Sequence, residues 1–411
     1  MNWTGRQVEA EIGAVAHGGH CVARVEGRVV FVRHALPGER VLVKITEDNG
    51  GSFCRGDAIT VLTASADRVE PPCPLARPAG CGGCDWQHAT PEAQRRLKAT
   101  VVSEQLERLA GLTVPVEVEA LPGGSLHWRT RLRLATAGNG YPGMRGHHSH
   151  RVHPIRDCPI AVEGLLDGVL DHRRPKGNEL ELVLDDTNTQ HVALREPIGR
   201  SRNWRTKWLA GGVAEQHAAG RTWKLGADAF WQVHPAAANT LSDLVREWAQ
   251  APVGGTAWDL YGGVGLFAGV LAEQVGETGR VLLVESVRSS VQDAEANLAD
   301  LPQVRCVADK VERALVDIDE APDVVVLDPP RKGAGKAVVD LIAAGEPDRV
   351  VYVACDPAAL ARDVAGFAEH GYRLAQLRAF DTFPNTHHVE CVALLARTPS
   401  GEGHDMANGL N

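Results

Sequence analysis

The first sixty residues consist of short apolar runs that turn residues interrupt at regular intervals. The runs, rich in Val and Ile, lie at residues 8–15, 21–25, 29–32, 40–46 and 58–62. The turns between them are Gly18-Gly19, Glu26-Gly27, Pro37-Gly38 and Asn49-Gly50-Gly51. Five short strands with tight turns predict a small β-barrel over residues 1–62, of the kind that binds oligonucleotides. Because any small barrel gives this pattern, it indicates little about function.

Residues 63–230 lack a single repeating pattern. A Pro- and Cys-rich stretch runs from Glu70 to Cys84. Residues 91–110 predict a helix, because Pro91 suits the first turn of a helix and Gly111 suits its end. Residues 112–225 alternate short apolar runs with turns, which is typical of strands with irregular connections. We expect a central α+β domain over residues 63–230.

From about residue 251 onward, apolar runs alternate with helical patterns. The predicted strands lie at residues 256–260, 280–284, 304–308, 324–327 and 350–354, and one of the predicted helices lies at residues 286–298. This alternation predicts a doubly wound, Rossmann-like α/β sheet of parallel strands, in a domain over residues 231–398. Residues 399–411 are Gly-rich and polar and are predicted to form a disordered tail.

Several reactive or polar residues follow the ends of these predicted strands. They are Tyr261, Glu285, Asp309, Asp328 and Cys355. Ligands of doubly wound sheets bind at the carboxyl ends of the strands. The sequence therefore predicts that these residues share one ligand-binding edge.

A glycine-rich loop, Gly262-Gly-Val-Gly265, separates the first strand of this domain from the next helix. Glycines at this position let the backbone approach a ligand closely, and an acid after the second strand, here Glu285, can bind ribose hydroxyls. The loop lacks the Gly-x-Gly-x-x-Gly spacing of dinucleotide sites, which favours S-adenosylmethionine, a cofactor without a pyrophosphate. A glycine-rich turn in another α/β enzyme is the alternative.

The sequence Asp328-Pro-Pro-Arg331 follows a very apolar strand. Two prolines stiffen the loop and remove N–H donors, so that carbonyl groups face the site. Methyltransferases that modify exocyclic amines usually have an aromatic residue after the prolines, and Arg331 stands there instead. This argues against amine methylation.

Cys355 and Glu390 are the candidate catalytic residues. Uracil C5 is a poor nucleophile, and addition of a thiolate at C6 turns C5 into an enolate carbon that can attack a methyl sulfonium. A carboxylate in a partly apolar site can then remove the C5 proton, so that the thiol leaves. Glu390 lies among apolar residues and suits that role. The alternatives are a buried structural cysteine and an edge-strand glutamate that faces water.

The composition is that of an ordinary globular protein, with 44% hydrophobic and 23% charged residues among 411. No apolar run approaches the ~18 residues that cross a bilayer, and residues 1–7 do not resemble a secretion signal. We expect a cytoplasmic protein with no membrane partner, in which the nine cysteines stay reduced. Clustered cysteines then indicate metal binding or catalysis.

The net charge of −9 argues weakly against a nucleic-acid partner. Residues 125–160, however, contain six arginines and one acid, Asp157. The arginines are Arg129, Arg131, Arg133, Arg145, Arg151 and Arg156. This segment could bind RNA phosphates while the rest of the surface stays acidic. A solvated basic strand pair explains the same charges equally well.

Four cysteines are the candidate metal ligands: Cys73, Cys81, Cys84 and Cys158. Cys81-Gly-Gly-Cys84 has the two-residue spacing of many metal sites, and its glycines ease the wrapping of the chain around a metal. Four thiolates can hold either zinc or an iron–sulfur cluster. The spacing alone leaves both open.

Taken together, these motifs resemble the bacterial RNA 5-methyluridine methyltransferases, most closely the iron–sulfur branch that acts on 23S ribosomal RNA. The resemblance implies an RNA-binding TRAM domain at residues 1–62 and a [4Fe–4S] cluster on Cys73, Cys81, Cys84 and Cys158. It also implies that S-adenosylmethionine contacts Gln232, in Phe230-Trp-Gln232-Val, together with Tyr261, Glu285 and Asp328. Cys355 would be the nucleophile and Glu390 the proton acceptor.

The expected function is therefore methylation of uridine C5 in RNA by a monomeric enzyme, most closely resembling the ribosomal RNA enzymes. The alternatives are a transfer RNA substrate, a different RNA base such as cytosine, and a metal-containing RNA-binding protein without activity. RNA cytosine enzymes usually have Pro-Cys or Thr-Cys at the nucleophile, which Cys355 lacks.

Overall fold

The computed structural model describes residues 2–199 and 203–397. The predicted tail at residues 399–411 lies outside the described residues. The chain forms two compact units. The first comprises Met1–Glu104, Pro115–Asn239 and Ala379–Val389, and the second comprises Gln105–Val114, Thr240–Arg378 and the described residues from Glu390 onward.

The first unit begins with the predicted barrel. Its strands are β1 (Gln7–Val15), β2 (Cys21–Val25), β3 (Arg28–Arg33), β4 (Arg40–Glu47) and β5 (Phe53–Thr63). They close in the order β1-β2-β3-β5-β4. Alternate residues such as Val30, Val32, Val41 and Val43 point inward and are fully buried. β5 begins at Phe53, five residues before the predicted start, because polar residues and Gly56 obscure its alternation.

A helix and an irregular set of strands follow in the central part of the chain. They are α1 (Pro91–Ala110), β6 (Val118–Ala120), β7 (Arg131–Thr136), β8 (Pro142–Arg145), β9 (Val152–Pro154), β10 (Glu179–Leu184), β11 (Gln190–Pro197), β12 (Trp204–Ala210), β13 (Val213–Ala218) and β14 (Arg221–Gly226). Gly111 ends α1 in the left-handed conformation, as predicted, with a φ of 66°. Six strands form an antiparallel sheet in the order β12-β11-β10-β7-β8-β9, and leucines of β7 and β10 fill its core.

The alternating part of the chain lies mainly in the second unit. Its elements, with the helix that precedes them, are α2 (Ala237–Ala249), β15 (Thr256–Leu260), α3 (Leu266–Val275), β16 (Arg280–Glu285), α4 (Arg288–Asn297), β17 (Val304–Ala308), α5 (Val311–Ala314), β18 (Val324–Leu327), α6 (Lys336–Ala344), β19 (Arg349–Ala354), α7 (Pro357–Glu369), β20 (Tyr372–Asp381) and β21 (Glu390–Arg397). The strands are ordered β17-β16-β15-β18-β19-β21-β20. The first five are parallel.

The predicted fold class is confirmed by the closed barrel and by the Rossmann-like sheet. Three strands of that sheet, β15, β17 and β18, have the predicted bounds. No helix among the described residues is long and apolar enough to cross a membrane.

Candidate active site

The strand register of the second unit places Cys355 across from Glu390. β19 and β21 pair antiparallel, with Ala354 opposite Cys391. Cys355 follows β19 directly and Glu390 begins β21, so the register makes these two residues the next opposed pair. Opposed residues of antiparallel strands project to the same face of a sheet. The candidate nucleophile and the candidate base are therefore neighbours at the carboxyl end of β19.

Glu390 is a buried carboxyl group. Its relative exposure is 3%, and β21 lies between β19 and β20 rather than at the edge of the sheet. This placement excludes the alternative of an edge-strand glutamate that faces water. Burial, followed by the negative charge of Asp328, raises the pKa of Glu390 well above its ordinary value. A carboxyl group with raised basicity suits proton removal.

The Cys355 thiol is half-buried among acids. Burial, followed by the charges of Glu390 and Asp328, raises its pKa to about 12. The guanidinium of Arg331 acts in the opposite direction and favours the thiolate. From the sequence, Arg331 was noted only because it stands where an aromatic residue would follow the prolines. Its effect on the Cys355 thiol could not be predicted, because it depends on how the loop folds. The reactive centre thus combines a thiol, two carboxyl groups and one cation.

The loop after β18 carries Asp328 and is firmly held. Asp328 is partly exposed as a residue, but its carboxyl group is buried, and this burial raises the pKa of the carboxyl group above its ordinary value. The backbone N–H groups of Ala334 and Gly335 donate to the carboxylate of Asp363, over 2.7 and 3.2 Å. The Tyr352 hydroxyl donates to the same carboxylate over 2.6 Å. These bonds fix the C-terminal end of the loop. Asp328 and Arg331 lie earlier in the same loop.

The glycine-rich loop lies at the carboxyl end of β15. Tyr261 has a φ of 61°, which is unusual for a residue other than glycine and typical of functional sites. Gly262 approaches its neighbours so closely that a Cβ atom would lie 2.7 Å from Leu283. The Gly263 N–H donates to the Glu285 carboxylate over 3.3 Å. Tyr261, the glycines and Glu285 therefore form one cradle, and its open backbone and acid fit a nucleoside with ribose hydroxyls.

Gln232, the fourth predicted cofactor contact, belongs to the first unit and is buried there. Its neighbour Trp231 contacts Trp223, with ring centroids 6.3 Å apart. Phe230 is 67% exposed. The role of Gln232 remains a prediction.

Asp259 is a buried acid for which the sequence analysis proposed no role. It is completely buried in β15, where one carboxylate oxygen accepts the Ala268 N–H over 2.8 Å. Its other oxygen, Oδ1, has no hydrogen-bond partner among the described residues. Burial raises the pKa of Asp259 to about 7. An acid within an otherwise apolar strand was the signal that could have identified it.

We expect Asp259→Asn to stabilise the protein at alkaline pH. The folded-state pKa is about 7 and the unfolded value is ~3.9, so the folded state retains the proton between these values. The free energy of unfolding of the wild-type protein therefore falls as the pH rises from ~4 to ~7. The amide keeps the oxygen that Ala268 needs but cannot ionise. Urea unfolding at pH 8 should show a gain of up to about 4 kcal/mol, with little difference at pH 4. An identical pH dependence of both proteins would contradict the buried-acid assignment.

The four predicted metal ligands line one cavity in the first unit. Cys73, Cys81, Cys84 and Cys158 surround it together with Gln87 and Arg129. The Gly83 N–H donates to Cys81 Sγ over 3.3 Å, and the Gln87 amide donates to Cys84 Sγ over 3.1 Å. Burial raises the pKa of the Cys81 thiol to about 11. Buried thiolates at this cavity would require a compensating positive charge.

The cysteines do not converge as the ligands of a single ion would. Within residues 2–199 and 203–397, no group of three or more His, Cys, Asp or Glu side chains is arranged to hold a metal ion. Tetrahedral zinc with 2.3 Å bonds needs thiolates about 3.8 Å apart. The four cysteines share one cavity, and a metal group bound to them stays a prediction.

The basic segment at residues 125–160 is largely occupied by internal contacts. Arg131 is half-buried and donates to the carbonyl groups of Ala227 and Ala229. Arg133 and Arg145 form ion pairs, at 3.1 Å with Glu181 and at 2.8 Å with Glu179 respectively. Arg129 lines the cysteine cavity. Arg151 and Arg156 are exposed and are the arginines of this segment best placed for phosphates.

Comparison with known protein families gives two matches. The family model described as tRNA (uracil-5-)-methyltransferase matches residues 178–398. The TRAM domain model matches residues 3–59, which comprise most of the barrel. The first match spans the predicted Rossmann-like domain and the last part of the predicted central domain, and the second lies on the predicted barrel.

Relatives match the chain over nearly its whole length. A protein of Streptomyces avermitilis, described as an uncharacterized RNA methyltransferase, is 47% identical over 97% of this chain and 100% of its own length. One of Streptomyces coelicolor with the same description is 46% identical over 98% and 95%. The crystal structure of Pyrococcus abyssi tRNA (uracil-54, C5)-methyltransferase with S-adenosyl-L-homocysteine matches with a TM-score of 0.70, at 20% identity, over 95% of this chain and 100% of that one. This last likeness is one of fold.

Proposed function

Because the chain belongs to the tRNA (uracil-5-)-methyltransferase family, we propose that it methylates C5 of a uridine in RNA, with S-adenosylmethionine as the methyl donor. The observation that carries the proposal is the opposition of Cys355 and Glu390 across β19 and β21. Methylation of a pyrimidine carbon needs a nucleophile for C6 and a base for the C5 proton. These two side chains supply both from one face of the sheet.

The protein's own groups account for each step except delivery of the methyl group. The Cys355 thiolate adds to C6 of uracil and converts C5 into an enolate carbon. S-adenosylmethionine supplies the electrophilic methyl group that C5 takes up. The Glu390 carboxylate then removes the C5 proton, the C5–C6 double bond re-forms, and the Cys355 thiolate leaves. Asp328 and Arg331, on their fixed loop, lie close enough to act on the charges of this centre.

The electrostatics of the centre support a cationic methyl donor. Asp328, Cys355 and Glu390 all have raised pKa values because burial disfavours their charged forms, and neighbouring acids raise the pKa values of Cys355 and Glu390 further. A sulfonium among them would favour the thiolate and the carboxylates. The cradle of Tyr261, the glycine loop and Glu285 would hold the nucleoside end of the same molecule, and Gln232 is a further proposed contact.

We propose ribosomal RNA as the substrate, with transfer RNA as the alternative. The four cysteines that line one cavity support ribosomal RNA as the substrate. They are part of the resemblance to the iron–sulfur branch of the family, which acts on 23S ribosomal RNA. Nucleoside mass spectrometry of both RNA classes from a strain without the gene tests the choice. Loss of 5-methyluridine from ribosomal RNA is the expected result, whereas its loss from transfer RNA alone would favour the alternative.

We also propose that the cysteine cavity holds a [4Fe–4S] cluster with a structural role, since nothing in the methyl transfer requires an electron. Protein purified without oxygen should be brown and contain about four iron atoms per chain. Cys84→Ser should lose most of the iron. Cys54→Ser, a change at a buried barrel cysteine outside the cavity, should retain it. Stoichiometric zinc with no iron in anaerobic protein would overturn the cluster assignment.

A further inference from the structure

Helix α1 buries polar side chains that the proposed chemistry does not use. Gln94 and Lys98 are each only 1% exposed. They lie four residues apart and therefore on one face of the helix. Burial of an amide or an ammonium group is costly unless partners satisfy it. The groups that Gln94 and Lys98 bind show which part of the chain this polar face holds in place.

Both side chains bind the same short segment, residues 381–387. Lys98 Nζ forms an ion pair with Asp381 and donates to the Phe383 carbonyl over 3.0 Å. Gln94 binds Asn385 twice: its amide donates to Asn385 Oδ1 over 3.1 Å, and its Oε1 accepts the Asn385 N–H over 2.7 Å. Two residues of one helix face thus hold this segment at positions 381, 383 and 385.

Asn385 is the most constrained residue of this segment. Its φ is 67°, in the left-handed region, and it is buried. Its side-chain N–H donates to the Ser125 carbonyl over 2.6 Å, and its own carbonyl accepts the N–H groups of Asp85 and Trp86 over 2.9 and 3.0 Å. A non-glycine residue stays in such a conformation only when its surroundings over-determine it, which is typical of functional sites.

His387 is held in the same way. The Asp85 carboxylate accepts its backbone N–H over 3.1 Å and contacts its ring Nδ1 over 2.7 Å. Arg33 lies 3.5 Å from the same carboxylate. Gly19 approaches His387 so closely that a Cβ atom at Gly19 would lie 2.6 Å from the His387 Cβ.

The segment at residues 381–387 ends three residues before Glu390. We infer that Gln94, Lys98 and Asp85 are positioning residues: they hold the backbone segment that leads along the chain into Glu390 and thereby restrict the orientations that the Glu390 carboxylate can adopt. The inference rests on the proposed role of Glu390 as the base. Displacement of a catalytic group by about 1 Å can cost 10²-fold in rate. Since only proton removal uses Glu390, loosening the segment should slow elimination and leave thiol addition and methyl transfer in place.

The test uses the full-length enzyme and ordinary uridine RNA. Gln94→Leu removes both bonds to Asn385 at nearly constant volume, together with the bonds from the Gln94 amide to the Trp86 and Ala89 carbonyls. The double variant Lys98→Met/Asp381→Asn removes the ion pair without leaving a lone buried charge. We expect turnover to fall about 10–10²-fold in each, while an RNA–protein adduct that depends on S-adenosylmethionine accumulates on denaturing gels. Methyl incorporation in the first turnover should stay within about twofold of wild type.

Arg96→Gln is the matched control on the same helix. Arg96 is exposed and paired with Asp67 on the surface, so this variant should turn over normally without an adduct. The inference is overturned if both Gln94→Leu and the double variant keep normal turnover, or if both lose turnover and adduct together. If Glu390→Gln itself accumulates no adduct, the proposed base has failed. If Glu390→Gln does accumulate one and the positioning variants do not, the inference alone has failed.

Discussion

Cys355→Ala is expected to abolish methylation, with a loss of at least about 10³-fold in turnover, the scale on which removal of a covalent nucleophile acts. Without the thiolate, C5 of uracil never becomes an enolate carbon, and no other side chain of the centre can replace that step. Binding of S-adenosylmethionine should stay close to wild type, because the thiol attacks the base and not the cofactor. Transfer of a labelled methyl group to RNA and calorimetric titration of the cofactor measure the two properties.

A second cysteine provides the control for this prediction. Cys306, in β17, is half-buried like Cys355 but does not follow the strand opposite Glu390. Cys306→Ala should therefore retain turnover. Wild-type protein and Cys306→Ala should both form a covalent adduct with 5-fluorouridine RNA, whereas Cys355→Ala should form none. Turnover near wild type in Cys355→Ala would rule out Cys355 as the nucleophile.

Glu390→Gln is expected to reduce turnover by at least about 10²-fold and to trap the reaction after methyl transfer. The amide cannot accept the C5 proton, so the thioether bond between Cys355 and C6 persists. The trapped species is an RNA–protein adduct that survives denaturing gels, forms with ordinary uridine RNA and requires S-adenosylmethionine. Its mass should exceed that of protein plus RNA by one CH2 unit, because the transferred methyl group is gained and the thiol proton is lost.

The structure excludes the competing interpretation of Glu390 as an edge-strand glutamate that faces water. A water-facing glutamate would give nearly unchanged turnover, since surface substitutions usually change stability by no more than ~0.5 kcal/mol. The observed side chain is buried and has a raised pKa. Normal turnover of Glu390→Gln would rule the residue out as the base.

The parts of the fold that follow a simple periodicity could be predicted from the sequence. The inner strands β16, β18 and β19 are nearly continuous apolar runs, since both of their faces are buried. β18 accordingly has the predicted bounds, and β16 and β19 each begin or end one residue away from them. The order of the strands is not encoded in any local pattern. The pairing of β21 between β19 and β20, which brings Glu390 to Cys355, therefore became visible only in the folded chain.

The polar contacts were less accessible to sequence reasoning. α1 was predicted as a helix with the right bounds, but its buried face carries Gln94 and Lys98, and hydrophobic periodicity does not mark such a face. Their partners, Asp381 and Asn385, lie nearly 300 residues away in sequence. The basic segment shows the opposite error. Its sequence suggested arginines that could bind RNA, but some of them, such as Arg131 and Arg133, have partners within the protein.

The most direct test of the central claim is nucleoside analysis of RNA methylated by the purified protein. Unmodified ribosomal or transfer RNA is incubated with S-adenosylmethionine whose methyl group carries deuterium, digested, and examined by mass spectrometry. We expect labelled 5-methyluridine with wild-type protein and none with Cys355→Ala. Label on a different nucleoside, or equal labelling by the two proteins, would contradict methylation of uridine C5 through Cys355.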